Sequence, residues 1–182
     1  IDAPHEAANI RVIANLFEDV GAESGAPIAF TGCDGCTFAN NTVIRPQTWV
    51  ARILQESTDA RFAPSRDGLF VNNLIVLNTA DIRTFVNVGA DTAPETFTFA
   101  NNLWWAMDEG DDWAGPTYSS GLPAESDSLI QQDPELIDDD YVPAPTSPAL
   151  GAGQRLPFAP VPDLVFRCFE DPPSIGAYEI AE

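Results

Sequence analysis

The sequence predicts an all-β protein: a right-handed parallel β-helix, or solenoid, with an irregular proline-rich C-terminal cap. Three observations carry this. One phrase recurs four times, at Ile10 to Phe17, Cys36 to Val43, Gly68 to Ile75 and Phe97 to Trp104. Its form is apolar-x-apolar-x-x-Asn-x-apolar, loosened at the first position by Cys36 and Gly68. The anchoring residues Asn15, Asn41, Asn73 and Asn102 are separated by 26, 32 and 29 residues, a length that suits one coil of a solenoid. Aligned on them, Val12, Phe38, Phe70 and Phe99 form one apolar column, and Phe17, Val43, Ile75 and Trp104 form a second. Successive residues of a strand point to opposite faces, so these columns mark the inward face of stacked coils.

Each element follows from its residues. The repeat cores are rich in Phe, Val, Ile and Thr and lack an i, i+3, i+4, i+7 stripe, so they read as strands. The asparagines read as a ladder of stacked turn amides that bond one another and the turn backbone. A short helical turn over 47–55 fits Trp49, Val50 and Ile53 on one face, in a loop between coils. After Met107, Asp108-Glu109-Gly110-Asp111-Asp112 opens a polar excursion to about Asp127, and a strand-like piece follows at Pro134 to Asp138. Proline cannot donate to a sheet ladder, so the tail is expected to pack over the open end of the solenoid. The expected organisation is coils over 1–142 and a capping tail of the same domain over 143–182. The first repeat starts almost at once, which suggests a processed or truncated N-terminus and further coils upstream.

The 182 residues hold 28 acids against eight arginines, no lysine and one histidine, for a net charge of −20. No basic residue lies between Arg83 and Arg155, where 13 acids lie. Such a chain is a poor partner for nucleic acid or an anionic membrane, and it favours cations. No stretch has the apolar length of a membrane-spanning helix. Cys33 and Cys36 have C-x-x-C spacing, with Cys168 left over. A redox pair lacks its βαβ setting, and a zinc site lacks ligands beyond His5 and Cys168. A local disulfide or a buried Cys36 is the plainer reading, and the state of Cys168 stays open.

Three tail motifs appear in order: Asp133-Pro134-Glu135-Leu136-Ile137-Asp138, Ser147-Pro148-Ala149-Leu150-Gly151-Ala152-Gly153, and Pro173-Ser174-Ile175-Gly176-Ala177-Tyr178-Glu179. Together with the asparagine repeats, this resembles the choice-of-anchor Q domain proteins of bacteria, related to the pectate-lyase-like β-helices. Gly151 and Ser174 stand where that family usually carries aspartate. The resemblance implies a secreted or cell-surface protein, an anchor beyond Glu182, and kinship with carbohydrate-active β-helices. Fold and chemistry are separable, so it says little about a reaction.

Elimination on a uronate needs a base, a neutraliser for the carboxylate and an acid. With no lysine, the base candidates are Arg45, Arg52 and Arg66, which the loops after the repeat cores are expected to bring to one groove. Their plainer role is pairing with carboxylates. No repeated pair of carboxylates points to a hydrolase, and His5 belongs to no recognisable triad. Asp108, Glu109, Asp111 and Asp112 are candidate calcium ligands, with Asp138 to Asp140 a second acidic cluster; a solvated acidic loop is the plainer reading of each. Trp49, Trp105, Trp113 and Tyr118 are candidate sugar-stacking residues, although covering the packing of loops on coils is their plainer role; by period Trp104 points in and Trp105 out. The leading expectation is an extracellular module that binds polysaccharide or acts as a scaffold, without proven catalysis. The alternatives are the C-terminal part of a polysaccharide lyase, or a structural subunit that stacks another chain on its open N-terminal coil.

Overall fold

The computed structural model describes residues 4–119, 121–158 and 161–180. Its first coil holds β1 (Ala7–Ala8), β2 (Arg11–Ile13) and β3 (Leu16–Glu18). The second holds β4 (Ile28–Thr31), β5 (Cys33–Asp34), β6 (Thr37–Ala39) and β7 (Thr42–Ile44). The third holds β8 (Ala51–Leu54), β9 (Leu69–Val71) and β10 (Leu74–Leu77), and the fourth β11 (Val86–Val88), β12 (Thr98–Ala100) and β13 (Leu103–Ala106). Then come β14 (Leu129–Ile130) and a small antiparallel pair, β15 (Leu136–Ile137) with β16 (Val142–Pro143). Strands from successive coils stack in parallel into three main sheets, β2-β6-β9-β12, β3-β7-β10-β13-β14 and β4-β8-β11. The protein is therefore a parallel β-solenoid.

Both predicted columns stand in register. Val12 pairs with Phe38, Phe38 with Phe70, and Phe70 with Phe99. Phe17, Val43, Ile75, Trp104 and Ile130 follow one another across the neighbouring sheet. Phe38 and Phe70 stack at 5.3 Å with planes 14° apart, and Trp104 is 1% exposed. Gly68 takes an apolar position of the repeat because the Phe97 ring fills the space that a side chain would need.

The asparagine ladder is continuous. Asn15 Nδ2 donates to Asn41 Oδ1 at 3.1 Å, Asn41 to Asn73 at 3.2 Å, and Asn73 to Asn102 at 3.1 Å. Each Oδ1 also accepts the backbone N–H of the asparagine one coil earlier, at 2.9–3.0 Å. Glu125 terminates the ladder, accepting from Asn102 Nδ2, from Trp104 Nε1 at 3.0 Å, from Tyr118 at 2.5 Å and from Ser128.

Two expectations change. Residues 47–55 contain no helix: β8 lies there and forms the middle strand of a third sheet. Its inward residues Ala51 and Ile53 pair with Ile28 and Phe30 on one side and with Val86 and Val88 on the other. The proline-rich tail covers the solenoid along its flank rather than over an open end. Asn40, Asn72 and Asn101 sit at left-handed corners (φ 49, 57 and 50), a conformation that asparagine tolerates. Their side-chain amides reach outward to the tail carbonyls of Ser174, Gln154 and Ala152. Ala149, Ile175 and Ile180 pack on the outer faces of Ile44, Leu74, Val76 and Leu103. Gly176 takes a left-handed conformation (φ 102) that favours glycine, and a side chain there would press tightly against Thr42 and Leu74 of the sheet.

Candidate functional site

The outer face of β3-β7-β10-β13 is apolar where the tail lies on it. Where the tail stops short, a groove remains. Ile44, Arg45, Val76, Trp105, Met107, Asp133, Pro134, Leu136, Asp138 and Tyr141 line about 270 Å³. Period two turns Trp105 outward beside the buried Trp104, and β13 carries it to the groove wall. Met107, just past the strand, is 46% exposed. Leu136 of β15 and the residues around it, Asp133, Pro134, Asp138 and Tyr141, supply the opposite wall. Arg45 follows β7 at another left-handed corner (φ 49) and closes one end. Arg45 and Trp105, candidates for different roles in the sequence, thus meet in one place.

Arg45 is fully engaged. Nε donates to Asp19 Oδ1 at 2.8 Å, Nη2 to Glu18 Oε1 at 2.6 Å and Asp19 Oδ2 at 2.9 Å, and Nη1 to the Tyr141 hydroxyl at 3.0 Å. The hydrogen bond from Arg45 holds the Asp19 carboxyl below the usual range, and the bonds to Asp19, Tyr141 and Glu18 push Arg45 further up. An arginine held so firmly in its charged form is a poor general base. Tyr141 donates to Glu18 at 2.6 Å, which raises its phenol above the ordinary value against the opposing pull of Arg45. Its single proton is committed to Glu18, so this tyrosine is not poised as a base.

The other arginine candidates lie on other faces, so the expected common groove does not form. Arg52 points outward from β8, donates Nε to Asn87 Oδ1 at 3.1 Å, and lies 4.3 Å over the Trp49 ring. Trp49 is therefore already covered on one face by a guanidinium. Arg66 donates to Asp34 at 3.1 Å, which lowers the Asp34 carboxyl, and Asp34 also holds His5 Nε2 at 2.8 Å.

Trp113 and Tyr118 take the plainer of their two roles, covering the core. Trp113 packs on Phe85 at 6.1 Å and Tyr118 on Phe99 at 5.0 Å, so with Leu122 they cover the end of the core at the last coil. Burial, then the nearby Glu125 charge, raises the Tyr118 phenol well above its ordinary value. The excursion after Met107 thus does the capping that the sequence assigned to the tail.

Among the candidate calcium ligands, Asp108 is occupied by the protein itself. It accepts the Thr79 N–H at 2.7 Å, the Ala80 N–H at 2.9 Å and the Thr79 hydroxyl at 3.1 Å, capping a 3-10 turn at Thr79–Asp81. Partial burial opposes ionisation there, but the Ala80 and Thr79 donors outweigh it and lower the carboxyl. Glu109 accepts from the same Thr79 hydroxyl, and Asp111 and Asp112 are exposed. Among the described residues, no group of three or more His, Cys, Asp or Glu side chains is arranged to hold a metal ion. Cys33 and Cys36 stand paired with Cα atoms 6.0 Å apart, and Cys168 is exposed and unpaired.

The sequence reading missed Glu18, Asp19 and Tyr141 as partners of Arg45. Asp19 and Arg45 occupy equivalent positions four residues after Asn15 and Asn41, and the repeat phrase carries that signal. Tyr141 lies 96 residues from Arg45 and has no such signal. Comparison with known proteins adds no relative: no family model and no curated protein matches this chain.

Proposed function

We propose that this chain is an extracellular β-solenoid module that binds polysaccharide without cleaving it, and that the groove beside Trp105 holds the sugar. One observation carries the reading: of the four candidate aromatic residues, Trp105 alone lines this groove. Trp49 is stacked under Arg52, and Trp113 and Tyr118 cover the core. Sugar rings pack on aromatic faces while polar groups at the rim fix their orientation. The surroundings of Arg45 favour binding over elimination, because its guanidinium has no capacity left to take a proton. The test is retention on immobilised polysaccharides, followed by tryptophan fluorescence, for wild type and Trp105→Ala. Retention that falls with Trp105→Ala while the melting temperature holds supports the reading. Equal retention of both proteins refutes the site, retention on no polysaccharide refutes glycan binding, and unsaturated product would refute the non-catalytic part.

A second reading, a structural subunit, is favoured by the N-terminal end of the stack. Each main sheet ends there in a strand with one unpaired edge among the described residues, at β2, β3 and β4. Between them Val12, Ile28, Phe30, Cys33 and Cys36 line a hollow, and Ile10 is 54% exposed. Such an end is a template for a further coil or another chain. Light scattering during size-exclusion chromatography would read a concentration-dependent mass if it stacks, and a monomer mass at every concentration would refute it.

A further inference from the structure

The groove beside Trp105 has an electrostatic sign that selects among sugars. Its only cation is Arg45, and Glu18 and Asp19 already pair with it. The Asp133 carboxylate spends Oδ1 on the Glu135 N–H at 2.8 Å, which leaves its second oxygen uncommitted. Asp138 makes no side-chain hydrogen bond or ion pair among the described residues. Both line the groove with an apolar wall of Trp105, Met107 and Val76. One guanidinium therefore faces four carboxylates, two of them free to take a ligand. An acidic sugar entering this space would meet repulsion at short range, and at long range the field of a chain of net charge −20. A protonated amine would meet the opposite on both scales, and cations also favour aromatic faces.

We propose that the groove recognises a polysaccharide bearing protonated primary amines, a polymer of 2-amino-2-deoxyhexose. Its ring packs on Trp105 and its ammonium groups turn toward Asp133 and Asp138. This rests on the glycan-binding reading and narrows it to one charge class. Arg45 contributes indirectly: by anchoring Tyr141 it fixes the chain that carries Asp138, so it positions the groove rather than touching the amine.

The experiment is calorimetric titration of the full chain at physiological salt and a pH where the amine is protonated. The probes are oligomers of 2-amino-2-deoxyglucose, the same oligomers N-acetylated, a neutral glucan and a polyuronate. The expected result is affinity for the free-amine oligomer roughly tenfold or more above its acetylated form, since losing a charge-assisted contact costs about a factor of ten. Asp133→Asn with Asp138→Asn should remove that advantage. Asp111→Asn with Asp112→Asn deletes the same charge from an exposed loop outside the groove and should preserve it. Equal affinity for amine and acetylated forms, or tighter binding of the polyuronate, overturns the charge class while leaving glycan binding intact. Equal losses in the two double variants overturn it as well, since the attraction would then be to overall charge. Binding to none of the four overturns both readings.

Discussion

Replacing Asn73 by alanine tests the ladder most sharply. The side chain is fully buried and makes four bonds. Nδ2 donates to the Phe38 carbonyl at 3.0 Å and to Asn102 Oδ1 at 3.1 Å. Oδ1 accepts the Asn41 N–H at 3.0 Å and Asn41 Nδ2 at 3.2 Å. Truncation strips the Phe38 carbonyl of this donor and leaves the Asn41 N–H and one Asn41 Nδ2 hydrogen without their acceptor, inside a core closed to water. At about 1–3 kcal/mol per orphaned buried group, softened by relaxation, the loss is about 4 kcal/mol. Domains of this kind are stable by about 5–15 kcal/mol, so the variant should fold but unfold early. Asn15 stands at the open coil, half-exposed, and accepts nothing along the ladder, so Asn15→Ala should cost only about 1 kcal/mol. Urea unfolding followed by circular dichroism reads both. With a slope of about 2 kcal/mol/M, the Asn73→Ala midpoint should fall by about 2 M and the Asn15→Ala midpoint by about 0.5 M, with slopes unchanged. Equal shifts in the two variants would refute the claim that the ladder acts through buried, saturated amides.

Three further outcomes follow from the geometry. Asn72 exchanges two bonds with Gln154, both at 2.8 Å, so Asn72→Ala should raise hydrogen exchange selectively along the tail, leaving the β6-β9-β12 amides protected. Glu18 raises the Tyr141 phenol and Arg45 lowers it; NMR titration of ring-labelled tyrosine should therefore show Glu18→Gln moving it down and Arg45→Met moving it up. Because Asp108 is lowered from 3.8 when folded, its stabilisation is present above that value and is lost as pH falls through the folded value. Asp108→Ala should thus cost about 1 kcal/mol, the worth of a cap, at pH 7 and pH 5, and thermal melts should converge only below 3.8.

The sequence showed the parts of the fold that repeat in phase. Phe38, Phe70 and Phe99 recur at one offset from the ladder asparagines, and a parallel in-register stack needs that recurrence. The sheet β4-β8-β11 obeys the same physics, but loops of unequal length separate it from the phrase, so no alignment on Asn41 or Asn73 reaches Ile53. The first asparagine of each pair, Asn40, Asn72 and Asn101, was visible as a repeat but not as a clasp, because its partners lie 134, 82 and 51 residues away. Trp113 and Tyr118 admitted two readings for a local reason: they sit among acids, prolines and glycines that read as solvent-facing, while the exposed end of the core draws the rings inward. The groove itself depends on where the tail stops on the outer sheet, and chain order alone does not carry that.

The clasp along the flank changes how the molecule must be made. A bare stack of coils can grow one rung at a time as the chain emerges from the ribosome, each rung resting on the last. Here the outward-facing Ile44, Leu74, Val76 and Leu103 are covered by Ala149, Ile175 and Ile180, which are translated after every coil. Until those residues arrive, the nascent solenoid carries an oily stripe from its second coil to its fourth. A premature stop before Ala149 would leave that stripe bare, so truncated products should aggregate or meet quality control even with every coil intact. Once the tail is in place the molecule gains the converse property: Ala177 donates its N–H to the Thr42 hydroxyl of the second coil, so loosening the tail and loosening that coil must work against each other.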